Sequence, residues 1–185
     1  MKQQLMAAMV LSVVLYVPAG GMAQQAEMAP QAKVAALAQF ADRVGTLEQL
    51  ASDIALAASL SVLTMSQPDL QFESEGKWSS KVRKITNDLS GVAASVGYGL
   101  PKLRGKLVKS AVATEAQTAE AKAIFEAVKE LILQADALTK LVEAGDADAA
   151  TSYLGGEVLA SAQEIRARAD ALSGEVQLAI KLAGL

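Results

Sequence analysis

From about residue 30 onward, small and apolar side chains recur at intervals that alternate between four and three positions. Phe40, Val44, Leu47, Ala51, Ile54, Ala58, Ser61 and Met65 form one ladder, and Trp78, Val82, Ile85, Leu89, Val92 and Val96 form a second. A third runs through Ala121, Ile124, Val128, Leu131, Ala135, Leu138 and Val142, and a fourth through Val158, Ala162, Ile165, Ala169, Leu172, Val176 and Ala179. An α-helix turns once in about 3.6 residues, so this spacing returns every member of a ladder to one side of a rod. Each such seam needs a partner helix. The pattern predicts an all-α fold: an elongated antiparallel bundle of three long helices plus one shorter helix.

Breaker residues divide the ladders. The first helix is expected over residues 30–67, about 55 Å at 1.5 Å per residue, with Pro30 in its first turn and Pro68 as its stop. Gly45 lies inside it and reads as a weak point where another helix comes close. Residues 69–76 read as an acidic loop with Asp69, Glu73 and Glu75. A second, shorter helix is expected over 77–95, closed by Gly97-Tyr98-Gly99-Leu100-Pro101. The third begins near Pro101 with Leu103 and Leu107. Ser110, Thr114 and Gln117 then occupy seam positions, so the rod is solvent-facing or broken there before its ladder resumes over 121–143. Gly145 followed by Asp146 reads as a helix end plus the cap of the next helix. The fourth covers 149–183, with Gly155-Gly156 a soft spot near its start.

The N-terminus follows a different logic. Lys2 is the only charge before Glu27, residues 5–17 are continuously apolar, and Pro18, Gly20, Gly21, Met22 and Ala23 supply a small-residue exit. This is the layout of a secretory signal peptide cleaved after Ala23. The apolar run falls short of the roughly 20 residues that a membrane-spanning helix needs. Residues 1–23 are therefore expected to be a signal peptide and 24–185 a single helical-bundle domain, exported to the extracellular space or cell surface, with the periplasm as the alternative. No later stretch reaches the length of a membrane span, and Leu182-Ala183-Gly184-Leu185 does not read as a lipid-anchor signal.

Composition narrows the chemistry. Among 185 residues there is no cysteine and no histidine, which removes disulfides, thiolate metal sites, imidazole bases and every catalytic arrangement built on them. Asn87 is followed by Asp88 and Leu89, so no N-glycan acceptor forms there. Glu126 and Glu130 stand one helical turn apart on an outer face, and Asp146 and Asp148 resemble a cap. Neither pair has the spacing of a calcium loop or convergent partners. No enzyme, metal or cofactor is expected. Aromatics make up 4% of the chain and alanine is abundant, so burial per residue is small and many thin layers along long contacts must hold the rods.

Charge is the feature that bears on partners. The chain has 17 Lys and Arg against 20 Asp and Glu, a net charge of −3, one unit more negative once Lys2 leaves with the signal peptide. Within this acidic chain, Lys77, Lys81, Arg83, Lys84, Lys102, Arg104, Lys106 and Lys109 face Asp88 alone over residues 77–113. This basic hairpin, with Tyr98 at its tip, is the candidate contact for an anionic surface or an acidic protein. The competing reading pairs those cations with the acidic loop or with Glu115, Glu120, Glu126 and Glu130 in solvated ion pairs. Trp78 starts a ladder and reads as core. Export, acidic balance and the lack of interleaved aromatics argue against nucleic acid. Association between copies through alanine-rich seams is a further possibility.

A leader followed by alanine- and glutamate-containing helices, as in Ala113-Thr114-Glu115-Ala116-Gln117-Thr118-Ala119-Glu120-Ala121-Lys122 and Ala147-Asp148-Ala149-Ala150-Thr151-Ser152-Tyr153-Leu154, resembles the helical surface proteins of African trypanosomes. Those are the variant surface glycoproteins and the smaller glutamate/alanine-rich and alanine-rich coat proteins. The likeness is one of texture along most of residues 24–185, and the absence of cysteine favours the smaller coat proteins. It implies a membrane-distal bundle, lipid-tethered at its C-terminus, that forms a coat or presents loops to a host ligand. It carries over no functional residue. The expected function is thus a non-enzymatic extracellular or surface coat or ligand-presenting protein. The alternative is a secreted or periplasmic helical module that binds a partner protein or anionic surface through its basic hairpin.

Overall fold

The computed structural model describes residues 28–66, 80–108 and 110–184. The leader expected over 1–23, the acidic loop, Lys77, Trp78 and Lys109 lie outside the described residues. Five α-helices follow one another: α1 (Pro30–Met65), α2 (Ser80–Val108), α3 (Glu115–Ala144), α4 (Ala147–Tyr153) and α5 (Leu159–Ala183). A π-helical turn at Leu154–Val158 joins the last two without leaving the right-handed helical region. Four rods result, and no strand occurs among the described residues.

The rods close into a ring in chain order. α1 packs against α2 and α5, α3 packs against the same two, and α1 also reaches α3 across the centre. Arg43, near the start of α1, donates to the carbonyl of Lys106, near the end of α2. Glu120, early in α3, meets Arg168 of α5. Successive rods are therefore antiparallel, as short connections in a bundle require.

The core follows the ladders. Every member of the first from Phe40 to Ser61, every member of the third and all of the fourth up to Val176 is buried. Met65 and Ala179 cover the ends. Two buried hydroxyls within the rods bond back along their own helices. The Ser61 Oγ donates to Ala57 O at 2.9 Å, and the Thr139 Oγ1 donates to Ala135 O at 3.0 Å. This satisfies a buried polar group without a partner on another rod.

Local signals set the ends of α3. The Thr114 side chain accepts from the Gln117 N–H while the Gln117 side chain accepts from the Thr114 N–H, forming a capping box. The polar seam residues Ser110, Thr114 and Gln117 thus mark a break in the rod. At the other end Gly145 adopts φ 81°, a left-handed conformation that only glycine enters freely. The Asp146 carboxylate then accepts from the Ala149 N–H, so the last rod begins at Ala147, two residues earlier than expected.

Two expectations need correction. The second helix does not close at Gly97-Tyr98-Gly99-Leu100-Pro101. It runs through all five residues to Val108, so the third helix begins at Glu115 and not near Pro101. The ladder explains this: Leu89, Val96, Leu100, Leu103 and Leu107 keep the alternating step across the glycines and the proline, and all five pack into the core. Tertiary burial overrides the local cost of a helix-interior proline. Gly45, the second case, marks no close helix approach, because a Cβ added there would meet nothing within 4 Å.

The π turn has a geometric cause. Ala150, Leu154, Val158 and Ala162 are buried at three consecutive steps of four. In an α-helix each step of four overshoots the starting direction by about 40° at 100° per residue. The wider π turn, closed by the Leu159 N–H on Leu154 O, absorbs the surplus and keeps all four residues facing the core.

Candidate functional site

The last turns of α2 carry three of the expected cations in exposed positions, and the helix separates them. Lys102 and Lys106, one turn apart, stand on the side towards α1 and line a groove of about 400 Å³ with Gln39, Asp42, Arg43 and Thr46. Arg104, between them in sequence, lies on the α3 side, with its guanidinium carbon 5.9 Å from the centroid of the Phe125 ring. That distance is near the outer limit of a cation–π contact. Tyr98 precedes Lys102 by four residues, which puts it on the same stripe, and it is 84% exposed. It is therefore a flank residue in the middle of α2 and not the tip of a hairpin.

Lys84 is exposed near the start of α2, about 27 Å along the helix from Lys102 at 1.5 Å per residue. Lys81 and Arg83 belong to α2; the placement of their side chains, like all of Lys77 and Lys109, lies outside the described residues. Among the described side chains, the basic island that is continuous in sequence thus divides into Lys102 and Lys106 on the α1 side, Arg104 on the α3 side and Lys84 towards the other end of α2.

One cation in the groove escaped the sequence reading. Arg43 reaches across from α1, its Nη1 donating to Lys106 O at 3.0 Å and its Nη2 to Gln39 Oε1 at 3.4 Å. These contacts fix the guanidinium beside Lys102 and Lys106 and leave further N–H groups unused. Arg43 belongs to another rod and lies some sixty positions from Lys106 in sequence, so only the antiparallel pairing of α1 with α2 could reveal it. Asp42 is the one acidic residue lining the groove among the described residues.

Ion pairing leaves these cations uncommitted. Glu120, one expected partner, binds Arg168 at 2.7 Å, and Glu126, another, binds Lys129 at 2.7 Å. Both hydrogen bonds hold the carboxyl below its ordinary range, and the same contact raises Arg168. Among the described residues Lys84, Lys102, Arg104 and Lys106 form no ion pair. Arg104 nonetheless acts on Glu126 through space, adding to the lowering of that carboxyl, and the acidic loop, the other expected partner, lies outside the described residues.

The groove offers guanidinium and ammonium donors, which suits it to holding an anionic group. The carboxylates do not converge elsewhere: no group of three or more that could hold a metal ion occurs among the described residues. Asp146 is a helix cap, Asp148 is exposed in the first turn of α4, and Glu130 is exposed on α3. No helix among the described residues is long and apolar enough to cross a membrane. No protein-family model, curated protein or solved structure matches the chain.

Proposed function

We propose that this chain is a non-enzymatic, exported helical-bundle module that engages an anionic partner through the basic end of the α1/α2 face. The observation that carries this reading is the trio Arg43, Lys102 and Lys106: three cations on two rods, lining one groove, with both lysines free of ion pairs among the described residues. Arg43 is held by a backbone carbonyl and needs no rearrangement to receive a ligand. Tyr98 extends the surface along the same stripe and supplies an exposed aromatic contact. Carboxylate, sulfate and phosphate groups on a protein, glycan or lipid surface share the chemistry that these donors accept.

The test is binding to anionic and to neutral lipid vesicles, and to a sulfated polysaccharide, as ionic strength is raised. A lysine beside an anionic surface contributes about 1 kcal/mol. Lys102→Glu with Lys106→Glu should therefore weaken binding about thirtyfold or more, with the wild-type affinity falling as salt screens it. Binding that is indifferent to both the substitutions and salt would remove the proposal.

A second reading, a surface coat or ligand-presenting protein, draws on the shape of the molecule. Its rods of 36, 29 and 30 residues extend about 45–55 Å around a continuous apolar core. Labelling of unpermeabilised cells with an antibody to the protein would support it, and recovery only from a soluble periplasmic fraction would end it.

A further inference from the structure

The other half of the α1/α2 face has the opposite character. A groove of about 550 Å³ runs between the rods there, lined from α1 by Leu50, Asp53, Leu56, Ala57, Leu60 and Thr64 and from α2 by Asp88, Val92, Ser95 and Val96. Leu56 is 62% exposed and Leu60 50%. Leu63 continues their stripe at 60%. With Gln49 and Asp53 these leucines form a second ladder on α1, stepping 49, 53, 56, 60, 63, separate from the one that enters the core. It is polar in its first half, as an exposed face ordinarily is, and leucine in its second. Three leucines at successive four- and three-residue steps are a coiled-coil seam without a rod on it.

We infer that this groove docks an amphipathic helix from another protein, with leucine-like residues on one side and Lys or Arg along its edges. Its length fits: the lining from Leu50 to Thr64 extends about 21 Å, or four helical turns, the span of an i, i+4, i+7, i+11, i+14 set of anchors. Charge selects the edges. Among the described residues Asp53 and Asp88 are the only charged ones lining the groove, and neither forms an ion pair there. Asp53 accepts from Gln49 Nε2 at 2.8 Å, which leaves its second oxygen free. Lys84, one turn before Asp88, does not line the groove. A cationic helix completes this rim. An isologous second copy would bring its own Asp53 and Asp88 to the same interface, and an anionic lipid surface would be repelled by both.

The test uses two labelled synthetic helices with the same leucine side, one flanked by lysines and one by glutamates, titrated with the purified protein and followed by fluorescence anisotropy. Saturable binding of the lysine-flanked peptide and at least about tenfold weaker binding of the other are expected. Leu56→Ser with Leu60→Ser leaves the charge unchanged and should cost about tenfold or more, since each leucine contributes by burial. Asp53→Lys with Asp88→Lys, which changes no apolar contact, should reverse the peptide preference and remains decisive if the serine variant folds poorly. Equal affinity for the two peptides, or an unchanged preference in the aspartate variant, would overturn the inference. So would self-association abolished by Leu60→Glu, or uptake of the wild type into neutral vesicles lost in the same variant.

Discussion

α2 and α3 are nearly equal in length, at 29 and 30 residues, and both run the length of the bundle, yet they are helical for different reasons. α3 is specified locally. It has a capping box at one end, a left-handed glycine at the other, and a ladder of seven buried residues without glycine or proline inside it. α2 contains Gly91, Gly97, Gly99, Gly105 and Pro101, each unfavourable in a helix interior. Contacts with α1 and α3 through Leu89, Ala93, Val96, Leu100 and Leu107 hold it in shape. The basic groove and the leucine groove both lie between α1 and this second kind of rod, so the surfaces proposed to bind partners depend on packing made elsewhere along α2.

Core truncation should expose that difference most strongly. Leu131→Ala in α3 removes a fully buried side chain and should cost about 3 kcal/mol of global stability in denaturant unfolding. Leu100→Ala should cost a comparable amount, but with loss of amide protection confined first to α2. If protection is lost evenly across all rods, α2 is no weaker than its neighbour.

Pro101→Ala should act in the reverse direction. It restores an N–H opposite the Gly97 carbonyl at an exposed position and should stabilise the protein by about 2 kcal/mol, less the entropy that the more flexible unfolded chain gains. A lower melting temperature would mean that α2 requires the proline geometry. Thr114→Ala removes the cap of α3 and should cost about 1 kcal/mol, measured by the same denaturant titration. Gly97→Ala meets nothing within 4 Å of the added Cβ and should gain about 0.5–1 kcal/mol.

The smallest effect concerns pH. The Arg168 hydrogen bond lowers the Glu120 carboxyl, so this pair contributes stability that is present above the unfolded carboxyl pKa and is lost as pH falls through the lowered value. Both side chains are partly exposed, which limits the contribution to about a few tenths of a kcal/mol. Arg168→Met should flatten the acid limb of the stability curve by that amount, and an unchanged limb would assign the pair no role in folding.

Periodicity carried most of the architecture into the sequence. Ile54, Leu131 and Ile165 were expected to be buried and are inaccessible to solvent, because a seam position is decided by spacing alone. The caps at Gly145 and Asp146 were legible for a related reason: each acts within three or four residues of itself, whereas Thr114 was read as a polar seam position and its capping role was missed. The end of α2 was misread where a local signal and a periodic one conflict. Gly97 to Pro101 reads as a stop, although the apolar step continues through Leu100, Leu103 and Leu107. The second, exposed ladder on α1 was visible only as the apolar stretch over 54–65, since sequence does not say which of two seams a rod buries. Lys102 and Lys106 were recognised as members of the basic island, whereas Arg43 required knowledge of which rod lies beside α2.

Native-state amide hydrogen exchange across residues 94–107, compared with 121–142, tests the central claim most directly. The account predicts continuous protection through Tyr98, Gly99, Leu100 and Lys102, at a level below that of α3 and lost together in Leu100→Ala. Fast exchange at Tyr98 to Leu100 in the intact protein, with protection on either side, would show a turn there and contradict it.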